Sequence, residues 1–582
     1  MTLPTEARPR SPQSPSYDTP SRLQGVLWAS PFLLLVYGLG LWGYWQYRPP
    51  GSVPGEDGWD LAYYALQLFV LEFTATDGTP VPLVLKIARV VAPVILTGAV
   101  VTIIEIVRTT LLVRRLTRRG FALVVGDTAE ARAVAEAKRR LSDKAVYEFA
   151  TGDLVSPQAL RAVGIRRADA VYALGDDRED VAANVATALA AVSARRARRT
   201  RILVHVTDPE LVIGLRARRF MTEAGQLVEF FTMDEAAARA HVAQESFPAG
   251  EPPRILVAGA GAFGQAVVVE VARRWRDTPG RGEGRVEVVL VDASASAVAA
   301  RLRERWVVVD RHCHLTPIDT TDPTAVLRDQ PVIGRPHRAY ICYEDEQVAL
   351  RTALAAVPLW HGGPGSLVVR LSQLARHAEA FRTGGLLDDL EGRLVVANVA
   401  DLGAPEVVRD RDIFWQLAEV VHERYLRNEL AKGRQLGSTL ALRPWAELRD
   451  DFRDNNYEQA CHLAVKLRRI GATVAPRSDR NPPFALTDEE IEVLARLEHE
   501  RWMANRRKHR WRYGPQRDDT RRIHPDLVPW EDLSEQSRQR DRDAVAAIPA
   551  EFGEVLAEFG LQIVRLAPTP ASVPAQAVAP AG

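Results

Sequence analysis

One stretch narrows the architectures open to this chain of 582 residues more than any other: Arg254-Ile-Leu-Val-Ala-Gly-Ala-Gly-Ala-Phe-Gly264. An apolar run, Ile255 to Ala258, leads into G-x-G-x-x-G at Gly259, Gly261 and Gly264. Val267, Val268, Val271 and Trp275 then follow at helical spacing. The pattern is a strand, a tight turn and a helix. Gly259 permits the turn, Gly261 lets backbone approach a pyrophosphate, and Gly264 lets helix and strand pack closely, so that the helix N-terminus is left to hold an anion. A second apolar run, Val286 to Val291, ends at Asp292, whose carboxylate is placed to take ribose hydroxyls. Strands alternating with helices require a parallel sheet covered on both faces. The expectation is a Rossmann-like domain over 249–408 in which Gly259, Gly261, Gly264 and Asp292 bind NAD or another adenine nucleotide.

The N-terminal part reads as membrane-embedded. Residues 1–21 are rich in Pro and Ser and carry no apolar periodicity, which predicts disorder. From Val26 to Tyr47 the chain is apolar and ends in Trp42, Tyr44, Trp45 and Tyr47, a length and an aromatic terminus suited to a bilayer span and its interface. A second apolar stretch runs from Val81 to Val107, weakened by Lys86, Arg89 and Glu105. Arg108, Arg114, Arg115, Arg118 and Arg119 follow it, whereas the segment between the spans carries Glu56, Asp57, Asp60, Glu72 and Asp77. The positive-inside rule then puts both termini in the cytoplasm and makes 22–118 a two-span domain of the inner (plasma) membrane. Between the spans, Trp59 to Phe73 is too short to cross and reads as a re-entrant or interfacial helix, followed by Thr74-Ala-Thr-Asp-Gly78. This order resembles the two-helix pore module of potassium channels. Their filter reads T-V-G-Y-G, of which Thr74 and Gly78 are kept. Thr74, Thr76, Asp77 and Gly78 are the implied pore residues, with Asp77 able to form a carboxylate ring that passes monovalent cations.

Residues 119–248 look like an eroded copy of the glycine-turn domain. Phe121-Ala-Leu-Val-Val-Gly126 repeats the strand and first glycine, but Asp127, Thr128, Ala129, Glu130 and Ala131 follow, so two of the three glycines are gone. The interval to Asp153 is too short for the usual second strand with its ribose-binding acid. Further on come Leu160 to Ile165, Ala168-Asp-Ala-Val-Tyr-Ala-Leu-Gly-Asp-Asp177 and Asn184. This set resembles the RCK or Trk-type (TrkA-N-like) regulatory domains of potassium channels and transporters, and Ala339 to Glu346 echoes it in the second copy. The first copy is expected to be structural and the second to bind. His312-Cys313-His314 reads as a strand edge, not as a metal site.

The C-terminal region begins with a capping box, Thr487-Asp-Glu-Glu490. His499, Arg501, Trp502, Trp511, Tyr513-Gly514-Pro515, His524-Pro525, Leu527 to Trp530 and Asp541 follow, and together they resemble the RyR domain, the repeat of ryanodine receptors and of bacterial membrane proteins. Residues 481–566 are assigned to it. Arg501, Trp502, Trp511, Tyr513, Arg517 and Trp530 are its candidate ligand residues, with stacking and guanidinium groups suited to a small anionic ligand such as a nucleotide. Residues 409–480 read as an eroded RyR-like repeat, since His422 to Tyr425 mirrors His499 to Trp502 and Pro444-Trp445 mirrors Pro529-Trp530. Residues 567–582 are Pro/Ala-rich and expected to be disordered.

The whole is therefore expected to be an α/β cytoplasmic region of two Rossmann-like parallel-sheet domains, with an N-terminal two-helix membrane domain and a C-terminal α-helical RyR module. Lys and Arg number 75 against 74 Asp and Glu, a balance that argues against a nucleic-acid partner. Cys313, Cys342 and Cys461 are too scattered for a disulfide framework. No H-E-x-x-H, G-x-S-x-G or G-K-[ST] phosphate loop occurs, so the chain is read as a non-enzyme. The function read from these features is a ligand-gated, potassium-channel-like membrane protein, expected to form a homo-oligomeric dimer or tetramer. The alternatives are a non-conducting membrane-anchored nucleotide sensor or scaffold and a membrane-tethered NAD-dependent oxidoreductase.

Overall fold

The computed structural model describes residues 34–47, 58–70, 80–97 and most of 120–566, the longest omitted interval in that last part being 372–393. The chain divides into two compact units, 1–121 and 122–582.

In the first unit, helix α1 is described over 34–46, α2 spans Gly58–Gln67 and runs into a single 3-10 turn at Leu68–Val70, and α3 is described over 83–97. Val36, Leu68, Leu85, Ala88 and Ala92 are buried together between them. Small residues on α1 set this packing: a Cβ on Gly43 would lie 3.0 Å from the Leu85 Cβ, and one on Gly40 3.1 Å from a Leu68 methyl. Leu34, Leu35, Trp45, Leu83, Val90 and Val94 point outward and are exposed. Among the described residues no helix is long and apolar enough to cross a membrane. The predicted spans 26–47 and 81–107 both extend beyond the described residues, and Thr74, Thr76, Asp77 and Gly78 lie outside them.

The second unit opens with a five-stranded sheet in the order β2-β1-β3-β4-β5, made of β1 (Phe121–Val125), β2 (Ala145–Phe149), β3 (Ala168–Ala173), β4 (Arg201–His205) and β5 (Val228–Phe231). Helix α4 (Ala129–Leu141) follows β1, α5 (Pro209–Arg218) follows β4, and α6 (Met233–Val242) follows β5. A six-stranded parallel sheet comes next, β11-β10-β9-β6-β7-β8, from β6 (Arg254–Ala258), β7 (Val286–Asp292), β8 (Cys313–Asp319), β9 (Arg338–Ile341), β10 (Leu367–Arg370) and β11 (Leu394–Ala397). Apart from Arg254, Glu287, Asp292 and Arg338 at or near their ends, its central strands β6, β7 and β9 are apolar and buried, as strands covered on both faces must be.

Backbone hydrogen bonds align the two sheets. Gly126 N donates to Phe149 O as Gly259 N donates to Val291 O, both at 2.8 Å; Leu174 N donates to Val125 O at 2.8 Å as Cys342 N donates to Ala258 O at 2.6 Å. β1, β2 and β3 thus match β6, β7 and β9. The reading that the first copy lacks its second strand is corrected: β2 is present. Its acid is absent, because Ala150 follows Phe149 where Asp292 follows Val291, and among the described residues β8 has no counterpart in the first sheet.

The two sheets interlock through helices. α6 packs on α7 (Ala262–Arg276), and α8 (Val399–Arg409), which follows the last strand of the second sheet, returns to pack on α6 and α4 of the first. Gly403 makes that return possible, since a Cβ there would lie 2.6 Å from the Met233 sulfur.

The remainder is a pair of similar motifs. The first holds α9 (Ile413–Ala431), a 3-10 turn at Trp445–Glu447, α10 (Asp450–Cys461), α11 (Leu463–Arg469) and β12 (Ala472–Pro476). The second holds α12 (Asp488–Lys508), the short strands β13 (Arg512–Tyr513) and β14 (Ile523–His524), a 3-10 turn at Trp530–Asp532, α13 (Glu535–Ala546) and β15 (Leu561–Arg565). His422 Nε2 meets Arg443 O at 2.7 Å, and His499 Nε2 meets Val528 O at 2.8 Å, one internal brace in each motif. β12 and β15 pair antiparallel, so the two motifs share a sheet.

Candidate functional site

The glycine turn after β6 has the form a phosphate cradle needs. Gly259 has φ +101°, and a Cβ there would lie 2.7 Å from Tyr343 N. Gly264 is more constrained still, since its Cβ would lie 2.0 Å from Gly259 O. Packing explains both of these. It does not explain Gly261, whose Cβ would meet only the Glu344 carboxylate, Oε1 at 3.3 Å, the mobile end of an exposed side chain. Gly261 caps α7 without a side-chain hydrogen bond, so the first-turn amides of that fifteen-residue helix remain available. Asp292 is bound inward: Oδ2 accepts from Ala260 N at 3.0 Å, and Oδ1 accepts from Ser294 N and Oγ, both at 2.9 Å. The carboxylate therefore braces the turn. Tyr343 crosses the end of β6 with its hydroxyl 3.5 Å from Val291 O, and burial, then the nearby Asp292 charge, raises its pKa. The four predicted residues Gly259, Gly261, Gly264 and Asp292 thus converge on one turn.

The corresponding turn of the first sheet is filled from within. Thr128 stands at the position of Gly261; its hydroxyl accepts from Ala131 N at 3.1 Å, capping α4, and donates to Leu174 O at 2.9 Å. Buried Asn184 accepts from Gly175 N at 2.7 Å and donates to Gly175 O and His205 O, which closes the crevice beyond β3 and β4.

The six residues predicted in the C-terminal motif scatter into separate roles. Arg501 and Glu498 are buried and paired at 2.7 Å; Lys466 meets the other Glu498 oxygen at 2.7 Å, and Arg501 also donates to Asn455 O and Oδ1 at 3.3 Å. Burial works against the Glu498 charge, but Arg501 and Lys466 outweigh it and hold the carboxyl down at about 2. The network joins α12 to α10 and α11 and so staples the two motifs. Trp502 and Trp511 do share a cluster, yet its centre is occupied by the chain's own Arg506, 4.5 Å from the Trp511 ring, 5.6 Å from Trp502 and 5.5 Å from Phe452. Burial and the Arg517 charge bring Arg506 down to about 10. His524 sits edge-on to Trp502 at 4.9 Å and is likewise lowered to about 4, by burial and then by Arg517. Arg517 is committed to Asp519 at 2.8 Å and to the Tyr425 side chain. Trp530 packs elsewhere, on Ala495 and Leu533, and Tyr513 is exposed.

A cavity of about 540 Å³ lies where the sheet units and the C-terminal motif meet, a volume within the usual range for small-molecule sites. Arg216 of α5, Arg239 of α6, Gln265, Glu270 and Arg273 of α7, Trp306 and Glu558 line it. Arg273 donates to Glu270 at 2.6 Å and to Glu558 at 3.1 Å, and Arg276 also reaches Glu558. One flank of α7 therefore faces the cavity while its N-terminus frames the glycine turn. Sequence reasoning missed this site, because its residues lie on several elements far apart in the chain and its charged members look like ordinary helix surface.

The model of the RyR domain family matches residues 486–555, and that of the TrkA-N domain family matches residues 108–221. The chain carries both domains. A TrkA-N domain is a Rossmann-type NAD(H)-binding domain, which agrees with a nucleotide as ligand. The match falls on the first sheet unit, whose turn is capped by Thr128, and not on the second, which holds the full glycine set. No match is found among curated proteins.

Proposed function

We propose that this protein is a ligand-regulated membrane protein in which an adenine nucleotide, bound at the Gly259–Gly264 turn, acts through α7 on the RyR module and on the N-terminal helices. The observation that carries the reading is the position of α7: one end frames an anion seat, and the other is tied to Glu558 of the C-terminal motif by Arg273 and Arg276. A phosphate drawn to the seat competes with the Glu344 carboxylate, and the resulting shift of α7 reaches the cavity and the Glu558 contacts. A ligand regulates only as far as it favours one of two arrangements. The outward apolar side chains of the first unit suit a lipid surface, and the sequence order of its helices suits a cation pore formed by several copies. Flux of sodium and potassium from proteoliposomes, with and without NAD or ATP, tests the proposal. Nucleotide-dependent flux lost in Gly261→Val supports it. Binding without flux points to a non-conducting sensor, and absence of nucleotide binding overturns it.

A further inference from the structure

A second cavity, of about 430 Å³, lies between the first sheet unit and the first C-terminal motif, lined by Arg201, Arg409, Asp412, Trp415, Trp445 and Arg453 among others. Its two tryptophans are half-buried, with ring centroids 6.1 Å apart and planes at 67°, and Trp415 is supported from behind by Tyr457 at 4.8 Å. The one carboxylate in the lining, Asp412, is already paired with buried Arg219 at 2.6 Å. The three lining arginines approach from different elements, β4, the end of α8 and α10. Arg201 is paired with Glu229 at 2.9 Å; Arg409 is largely exposed, with Glu406 at 3.5 Å; Arg453 donates to Ala446 O at 2.9 Å and has Asp450 at 3.8 Å. The Nε of Arg453 is buried with no hydrogen-bond partner. Exposed pairs such as Arg409–Glu406 hold their partners weakly and yield readily to a doubly charged phosphate.

We infer that this cleft binds a nucleoside phosphate, with the base against Trp415 and Trp445 and the phosphate on Arg409 and Arg453. The eroded repeat is then a binding module in its own right, whereas the aromatic cluster of the intact repeat is already filled by Arg506. Stacking supplies tolerance for a flat ring, and the convergent guanidinium groups supply the preference for charge. A ligand here would bridge β4 of the TrkA-N region and the first motif, independently of the glycine turn.

The test is calorimetry on the full-length protein carrying Gly261→Val, titrated with AMP, ADP, ATP and NAD, with adenosine and inorganic phosphate as controls. The expected result is one remaining site for at least one nucleotide, weakened tenfold or more by Arg409→Glu and by Trp445→Leu, with adenosine and phosphate each binding less well. Arg409 is exposed and leucine keeps the apolar volume at 445, so both variants should fold, which a melting curve checks. If none of the nucleotides binds the Gly261→Val protein, or if binding is unchanged in both cleft variants, the inference fails. Loss of nucleotide binding at the glycine turn alone leaves it standing, and the two readings can fail separately.

Discussion

The two sheet units place the same turn in the same position and finish it in opposite ways. After β1 the helix is capped by Thr128, whose hydroxyl accepts from Ala131 N, and the crevice is closed by Asn184. After β6 the helix has no side-chain cap, and what lies opposite Gly261 is a movable carboxylate. A fold of this kind can thus keep its strand–turn–helix geometry while replacing the ligand with its own side chains. The glycines of the second turn also divide by cause: Gly259 and Gly264 are demanded by backbone packing, and only Gly261 is left to be explained by an approaching ligand.

The largest expected effect follows from Gly264. Gly264→Val sets a side chain against Gly259 O, where even a Cβ would lie at 2.0 Å, so it should destabilise the second unit by about 3 kcal/mol or more. At the matching position of the first unit, Ala131→Gly should cost only about 1 kcal/mol, the helix-propensity difference. Chemical denaturation of both variants decides this, and equal losses would mean that the two turns are not packed differently. Gly261→Val comes next, with an effect on binding: nucleotide affinity should fall at least tenfold while the melting temperature changes little. Glu344→Gln should move affinity the other way, about three- to tenfold tighter, because the carboxylate no longer repels phosphate at the helix N-terminus. Unchanged affinity in Glu344→Gln would show that this side chain does not share the anion seat.

Much of this difference was legible in the sequence. Apolar runs ending at glycines gave the parallel sheets, and the loss of two glycines after Gly126 marked the first turn as altered. The short interval between Gly126 and Asp153 argued against a second strand, yet it holds both α4 and the five-residue β2, which lies at the edge of its sheet, where only part of it is covered. The inward hydrogen bonds of Asp292 and the position of Glu344 are tertiary facts that spacing cannot reveal. In the C-terminal motif, composition indicated aromatic and cationic groups but not their partner. The sequence contains both Arg506 and Arg517: Arg506 lies one turn after Trp502 on α12 and meets Trp511 just beyond the helix end, with Phe452 of α10 closing the cluster, whereas Arg517 is held by Asp519 two residues on. The Lys466–Glu498–Arg501 network is hidden because its members lie on two helices, α11 and α12, that belong to different motifs.

The smallest effect belongs to Thr128→Gly, which makes the first turn resemble the second. Removing the cap exposes amides that water can reach, and glycine is itself a tolerable N-cap, so the loss should stay under about 1 kcal/mol. If absence of a side chain were sufficient for an anion seat, this variant would acquire nucleotide affinity. It should not. Ala150 follows β2 where Asp292 follows β7, so the turn would have no carboxylate to brace it, and Asn184 would still bridge Gly175 and His205 across the crevice. Calorimetry of the Thr128→Gly, Gly261→Val double variant isolates the first turn from the second; the single substitution Gly261→Val serves as its reference, since any site elsewhere contributes equally to both. A gain of one nucleotide site in the double variant would mean that Thr128 alone separates the two units, and that the filled crevice behind it is no barrier.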